Sequence, residues 1–220
     1  MKSIISVFLT SFLALSAFSQ ISTNGVYLKD GITIEVEKKV YSITPTNKAD
    51  LVYFSNGLTV KVEPDANFSV NSFFQDVVTT NDFHKAEFGL SSLNTTILTG
   101  KVLVSYIGDT NSSCVVSTTV VDIELSKGLF YFEVAEKKVI VAVVDGSLKY
   151  YNGKKEVIIN AGQAIIAEPS TVGILEDKIG IHTGKVNADS IKKFKDESED
   201  LYKETIIFVR RSGKTEGFTL

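Results

Sequence analysis

Short stretches in which apolar and polar residues alternate constrain this chain most strongly. Residues 58–63 alternate strictly, 102–106 and 129–134 follow the same pattern, and 139–144 is a continuous apolar run. A period of two is typical of a strand with one buried face, and a short unbroken run fits a strand buried on both faces. Val, Ile and Thr supply 64 of the 220 residues, and these β-branched types favour strands. The sequence therefore predicts an all-β fold, either an antiparallel β-sandwich or a short solenoid-like β-roll.

Dipeptides that tolerate positive φ separate these stretches and predict tight turns. They are Asn24-Gly25, Asp30-Gly31, Asn56-Gly57, Gly108-Asp109, Asp145-Gly146 and Asn152-Gly153. The clearest predicted hairpin has Asp145-Gly146 at its tip, because strand-like runs flank it on both sides. Residues 75–90 carry no regular pattern and predict no particular structure, whereas Phe73-Phe74 and residues 82–85 are predicted to lie in a longer connection.

One segment near the C-terminus has the pattern of a helix. Residues 189–204 carry ten charges in sixteen positions, with Ile191, Phe194 and Leu201 on one stripe and Asn187 as a suitable N-cap. We predict a helix over 188–204 that lies on the surface of the β domain. The alternative is a helix that docks a partner.

The first nineteen residues have the pattern of a secretory signal peptide. A positive start is followed by an apolar stretch that is too short to span a bilayer, and small residues precede a cleavage site between Ser19 and Gln20. We expect a secreted or periplasmic protein with no transmembrane anchor after cleavage. The predicted organisation is a signal peptide over 1–19, a β domain over 20–170 and a C-terminal extension over 171–220, which holds the helix and a final strand at 205–209.

Charge and cysteine content exclude several classes of function. With 23 basic and 26 acidic side chains the net charge is -3, which offers no basic surface for nucleic acid or anionic lipid. The single cysteine, Cys114, excludes an intramolecular disulfide. It begins an apolar run, so we interpret it as a small core residue.

Catalytic and metal-binding patterns are weak. The two histidines, His84 and His182, lie in unlike contexts without ligand spacing, so we predict no metal site, no cofactor and no catalytic residues. A glycosidase with paired carboxylates stays open, because its two acids can be distant in sequence. The acids considered for that role are Glu63, Asp122, Glu124 and Asp145.

Aromatic residues leave a binding role open. A few of them could form a platform for sugar or peptide, whereas the more ordinary interpretation is that they fill the core and form cross-strand pairs. The residues concerned are Phe68, Phe73, Phe74, Tyr131, Tyr150 and Tyr151.

Five short motifs, in order, resemble the FecR-type domain, an exported sensor module of bacterial iron-siderophore signalling proteins. They are Ser55–Ala66, Leu98–Val104, Lys127–Val134, Val139–Gly146 and Asn160–Ala164, and together they lie within residues 25–168. Each motif is a glycine followed by alternating apolar residues. The chain departs from the family pattern at Gly128, which is preceded by lysine and followed by leucine where the family has arginine and threonine.

The resemblance implies an all-β, exported, non-catalytic module in which the matched glycines hold turns. Those glycines are Gly57, Gly100, Gly128, Gly146 and Gly162. Signalling members carry a cytoplasmic anti-sigma segment and a transmembrane helix before this domain, whereas here a signal peptide leads almost directly into it. We therefore expect a FecR-like module without the anti-sigma segment.

The functional prediction is a binding, sensor or protein-interaction module in the periplasm or cell envelope. Its expected partner is an unidentified protein or glycan of the envelope. Two alternatives remain open: a carbohydrate-active or jelly-roll enzyme, which would need converging polar groups in a cleft, and a structural envelope protein that assembles through strand edges.

Overall fold

The computed structural model describes most of the chain after residue 22. The described ranges are 23–24, 26–29, 32–35, 41–54, 56–79, 86–108, 112–152, 155–169, 179–202, 206–211 and 214–219. The predicted cleavage site between Ser19 and Gln20 lies outside these residues, as does His84.

The described residues form sixteen strands and one helix. The strands are β1 Thr23–Asn24, β2 Val26–Lys29, β3 Ile32–Glu35, β4 Tyr41–Ile43, β5 Asp50–Phe54, β6 Leu58–Val62, β7 Asn67–Thr79, β8 Ala86–Tyr106, β9 Ser113–Thr118, β10 Asp122–Ala135, β11 Lys138–Asn152, β12 Lys155–Asn160, β13 Gln163–Pro169, β14 Ile179–Lys185, β15 Ile206–Arg211 and β16 Lys214–Thr219. The helix, α1, spans Ala188–Tyr202. None of the described segments forms a helix with the length and apolar character that crossing a membrane requires.

Strands β1 to β14 belong to one hydrogen-bonded network that divides into two sheets. The first sheet has the order β14-β13-β11-β10-β8-β6-β5-β2-β3. The second sheet has the order β12-β11-β10-β9-β8-β7, with β1 and β4 both paired to β7. Strands β15 and β16 form a separate hairpin.

Three long strands, β8, β10 and β11, belong to both sheets. Residues 92–97 of β8 pair with β9, whereas 100–106 pair with β10. On β11, residues 139–142 pair with β13 and 147–152 with β12. On β8 and β11 the change of partner strand occurs next to Gly100 and Gly146, which both have positive φ. Glycine adopts positive φ without strain, and the backbone can therefore form the bulge that redirects a strand.

The hydrophobic core lies between the two sheets. Leu58, Val60 and Val62 of the first sheet are fully buried, and so are Cys114 and Val116 of the second. The two layers meet directly where the ring of Phe54 contacts the ring of Phe73 edge to face, with centroids 5.6 Å apart. The structure therefore confirms the predicted all-β class, in the form of a sandwich with one helix.

Helix α1 covers the outer face of the first sheet. Phe194 and Leu201 are buried against a second apolar cluster formed by Leu103, Leu129 and Val144 of the long strands. This contact explains why residues 139–144 of β11 are apolar on both faces: Val141 and Val143 face the core between the sheets, and Val144 faces the helix. The prediction of a surface helix on the β domain is confirmed by these contacts.

Two predicted features are wrong. Asp145-Gly146 is not a hairpin, because β11 continues through it and bends there. The turn that joins β10 to β11 lies instead at Glu136-Lys137, just before β11 begins, and it contains no glycine. Phe73-Phe74 was predicted to lie in a connection but belongs to β7, which pairs with β8, since pairing between the two long strands supplies the hydrogen bonds that no local pattern signals.

Three further findings were not predicted. Strands β8 and β9 pair in parallel, unlike their neighbours. The first sheet continues past residue 170, because β14 pairs with β13. The segment after α1 forms a hairpin of two strands, β15 and β16, in place of the single final strand expected at 205–209.

Candidate binding face

Among the described residues, α1 packs on the first sheet and leaves the outer face of the second sheet uncovered. A row of side chains crosses five strands in register, through the pairs Asn94–Val115, Val115–Glu124, Glu124–Lys149 and Lys149–Ile158. We call this surface the open face. It consists of Asn94, Thr96, Val115, Ser117, Glu124, Lys149, Tyr151, Glu156 and Ile158, each of which is partly or fully exposed.

Amide and hydroxyl side chains order one end of the open face. The amide nitrogen of Asn71 donates to the side-chain oxygen of Asn94 at 3.0 Å and to the Thr96 hydroxyl at 2.7 Å. These bonds run between β7 and β8 and hold the three side chains in place. The surface at this end is therefore preorganised for hydrogen bonding.

The middle of the open face carries an ion pair. The Lys149 ammonium lies 2.9 Å from the Glu124 carboxylate, and each side chain is about one-third exposed (32% and 35%). The hydrogen bond from Lys149 to Glu124 raises the pKa of Lys149. Tyr151 extends the polar network, because its hydroxyl lies 3.2 Å from the Glu156 carboxylate.

Apolar area is concentrated at the β12 edge of the open face. The side chains of Ile158 and Tyr151 are 58% and 56% exposed. They lie on the same face of β12 and β11. A mixture of exposed apolar side chains with ordered polar groups is the composition of many protein–protein interfaces.

The opposite face of the molecule is closed by α1. The rings of Tyr131 and Phe194 stack with centroids 4.1 Å apart, and Lys61 lies 3.8 Å from Glu197 of the helix. Burial, reinforced by the charge of Glu133, raises the pKa of the Tyr131 hydroxyl. This phenol therefore stays protonated and serves packing.

The aromatic residues considered for a platform are dispersed. Phe68, Phe73 and Tyr150 are buried in the core, and Tyr131 stacks beneath the helix. Phe74 and Tyr151 remain exposed, but they lie on different strands, β7 and β11. The structure does not bring the six aromatics together.

The acids considered for paired-carboxylate chemistry do not line a common cavity among the described residues. Glu63 pairs with Lys61 at 2.7 Å, and Glu124 pairs with Lys149. Asp122 and Asp145 are exposed to solvent. Paired-carboxylate hydrolysis needs two acids that flank one bound substrate, and none of the other three acids lines the cavity beside Glu124.

Two cavities occur near these residues. One, of about 150 Å³, lies beside Tyr106, Ser112 and the Glu124–Lys149 pair, which is below the range of roughly 300–1,000 Å³ typical of ligand sites. The other, of about 350 Å³, is lined by the single segment 44–50. Neither cavity brings together the groups that hydrolysis requires.

The nucleophile and metal candidates are placed as follows. Cys114 is fully buried, and burial raises the pKa of its thiol to about 12, with a further contribution from Glu124. His182 lies on β14, with its side chain 54% exposed and 3.9 Å from Glu168. Within the described ranges, no group of three or more His, Cys, Asp and Glu side chains is arranged to hold a metal ion.

The matched glycines lie at turns and bulges. Gly57 and Gly162 occupy turns between strands and have positive φ, whereas Gly100 and Gly146 have positive φ inside long strands. Gly128 lies within β10 opposite Gly146. A side chain at either of these two glycines would collide with the backbone of the other strand.

Sequence reasoning did not identify the open face. Its signal is the alternation of polar Ser92, Asn94 and Thr96 with buried Leu93 and Ile97 along β8. That alternation predicts a strand with one solvated face, but it cannot show that the strands beside it in the sheet continue the same face.

Comparison with known proteins shows similarity in fold. No protein-family model and no curated protein matches the sequence. A solved structure of a proposed anti-sigma factor from Parabacteroides distasonis, at 2.50 Å resolution, superposes with a TM-score of 0.50 at 13% identity, over 70% of this chain and 63% of that one. The present chain thus spans less than two-thirds of that protein. A second solved structure of a proposed anti-sigma factor from the same organism gives a TM-score of 0.44 at 8% identity, over 82% and 99% of the two chains.

Proposed function

We propose that this protein is an exported, non-catalytic FecR-like β module that binds a protein partner outside the cytoplasm. The observation that carries the proposal is the contrast between the two outer faces of the sandwich. Helix α1 covers the first sheet with buried Phe194 and Leu201, whereas the row from Asn94 to Ile158 on the second sheet remains exposed.

The chemistry of the open face favours a protein over a small ligand. The row crosses five strands, and the cavity beside Glu124 and Lys149, of about 150 Å³, is smaller than typical small-ligand sites. Of its three charged residues, Glu124 and Lys149 neutralise each other, and Glu156 bonds the Tyr151 hydroxyl. Ordered donors, acceptors and two exposed apolar side chains suit a complementary protein surface.

Similarity to solved structures and sequence motifs support the class of module. The fold resembles that of a protein described as a proposed anti-sigma factor, and the five FecR-like motifs lie in the strands that build the two sheets. The pattern of residues 1–19 supports export to the periplasm or cell envelope. A sensor or scaffold role in the envelope follows from such binding.

Photo-crosslinking in intact cells tests this proposal. A photoreactive residue in place of Ser117, on the open face, should form an adduct with another protein that mass spectrometry identifies. The same residue in place of Lys193, whose side chain is 69% exposed on α1, is the matched control and should give no such adduct. Equal adducts at both positions, or none at Ser117, would refute binding through the open face.

A further inference from the structure

Within the described part of the chain, the edge strand β12 has backbone amides and carbonyls that no other strand uses. Among the described strands it pairs only with β11, over six residues and without a bulge. The amide of Ala161 donates to the Gly146 carbonyl, towards β11, whereas the amide of Asn160 donates to the Gln163 side chain instead. In an antiparallel strand the backbone amide and carbonyl of successive residues point alternately towards one neighbour and the other. The groups of Ala161 point towards β11, so those of Glu156 and Ile158, which lie an odd number of residues away, face away from β11.

Apart from the Gln163 side chain that accepts from the Asn160 amide, this edge lacks the devices that usually prevent pairing between strands. Such edges are blunted by proline, by bulges or by charges in the middle of the strand. Strand β12 has no proline, and its charged residues, Lys155 and Glu156, lie at its N-terminal end. Its most exposed apolar side chain, Ile158, is 58% exposed at the centre of the outward-facing groups.

The strand is complementary to itself. An antiparallel pair of two β12 strands centred on Ile158 places Ile158 opposite its own copy, Val157 opposite Ile159, and Glu156 opposite Asn160. Apolar side chains then face apolar ones on each side of the sheet, and no like charges lie opposite each other. The Ile158 amides and carbonyls bond reciprocally, which is the geometry of a hydrogen-bonded antiparallel pair.

We propose that a second copy of this chain pairs with the β12 edge. The second sheet of each copy then joins that of the other into one continuous sheet across a two-fold axis. The strand that pairs with β12 is β12 of the second copy. The register centred on Ile158 uses the outward backbone groups of Glu156 and Ile158, and it also places apolar side chains opposite apolar ones. This inference goes beyond the proposed function, since the partner of the open face is a different protein. A six-residue strand buries little area, so the dimer is weak and depends on concentration.

Analytical ultracentrifugation of the purified full chain tests the association. The average mass should rise from that of the monomer, which is 24.0 kDa for residues 1–220 and lower once residues 1–19 are removed, towards twice that value as concentration increases. Ile158→Lys should abolish the rise, because two ammonium groups would face each other. Glu156→Pro removes an amide that β11 does not use, together with the carboxylate that the Tyr151 hydroxyl bonds, and it should weaken the association at least tenfold. A chain that stays monomeric at all concentrations, or an unchanged rise in Ile158→Lys, would overturn the proposal.

Disulfide crosslinking tests the register. In the proposed pair the Ile158 Cα atoms lie about 5.5 Å apart, within the range for a disulfide. Ile158→Cys should therefore form a crosslinked dimer under mild oxidation, and Cys114 cannot compete because it is fully buried. Tyr151→Cys is equally exposed but one strand further from the axis, and it should not crosslink. Equal crosslinking of both variants would overturn the register.

Failure of this proposal is distinguishable from failure of the proposed function. A self-crosslink has twice the mass of the chain and contains its peptides alone, whereas an adduct from Ser117 contains peptides of another protein. Each result stands without the other.

Discussion

At the scale of single residues, the close approach of β10 and β11 depends on Gly146. Its φ is +76°, and a Cβ there would run into the Lys127 carbonyl and the Cα of Gly128. Gly162 has a similar φ of +81° but open space around it. We expect Gly162→Ala to cost about 1–2 kcal/mol from backbone strain alone, and Gly146→Ala to cost more than about 4 kcal/mol, because the strands must also separate. Urea melts of the two variants measure the difference, and equal costs would contradict the close approach.

The thiol of Cys114 makes stability depend on alkaline pH. Its pKa is raised to about 12 in the folded state by burial, against an ordinary value of 9.0. The unfolded thiol loses its proton at a lower pH than the folded one. The contribution of the buried, protonated thiol to the free energy of unfolding is therefore complete below pH 9 and falls as pH rises to 12. The expected slope is about 1.4 kcal/mol per pH unit. Urea melts of the wild type and Cys114→Ala between pH 9 and 11 should show a shallower fall for the variant, and parallel curves would contradict a buried thiol.

At the scale of elements, an aromatic contact helps to hold α1 on the first sheet. Phe194 stacks on Tyr131 and is 9% exposed. Truncation to alanine removes this stack and leaves a gap beneath the helix, so we expect Phe194→Ala to cost about 3 kcal/mol. Hydrogen exchange should show faster exchange of the α1 amides, with the strands near their original protection. Lys193→Ala, on the exposed side, is the control, and a similar effect of both variants would show that packing does not hold the helix.

The N-terminus of the same helix is capped as the sequence predicts. The Asn187 side-chain oxygen accepts a hydrogen bond from the Ser190 amide at 2.7 Å. We expect Asn187→Ala to cost about 1 kcal/mol, because the amide loses its partner. Asn187→Asp keeps an acceptor and should retain the stability of the wild type in thermal melts, and an equal loss in both variants would contradict the cap.

At the scale of the whole molecule, export predicts a defined N-terminus. If residues 1–19 are a signal peptide, the protein recovered from the periplasm or the medium begins at Gln20. N-terminal sequencing of that protein measures this directly. Replacing Ala17 by a bulky residue such as Phe should block cleavage, since the position three residues before the scissile bond must be small. A protein that retains Met1 and fractionates with the cytoplasm would contradict export.

Many of the strands could be predicted from local sequence. Leu58, Val60 and Val62 are buried as the alternation requires, and Ile191, Phe194 and Leu201 form the stripe by which α1 packs. These features are local, because the period of a buried face follows from the geometry of one strand or one helix. All-β class and a single surface helix were therefore determined by the sequence itself.

Only the tertiary structure decided how the strands share two sheets. Asp145-Gly146 has the sequence of a hairpin tip, yet β11 continues through it because β10 runs beside it and Gly128 leaves room for the close approach. The open face depends on the same long-range pairing, since Asn94, Glu124 and Ile158 are far apart in sequence and become neighbours only through register across the sheet. Local patterns set which side of a strand is buried, whereas hydrogen bonds between distant strands set which side chains meet.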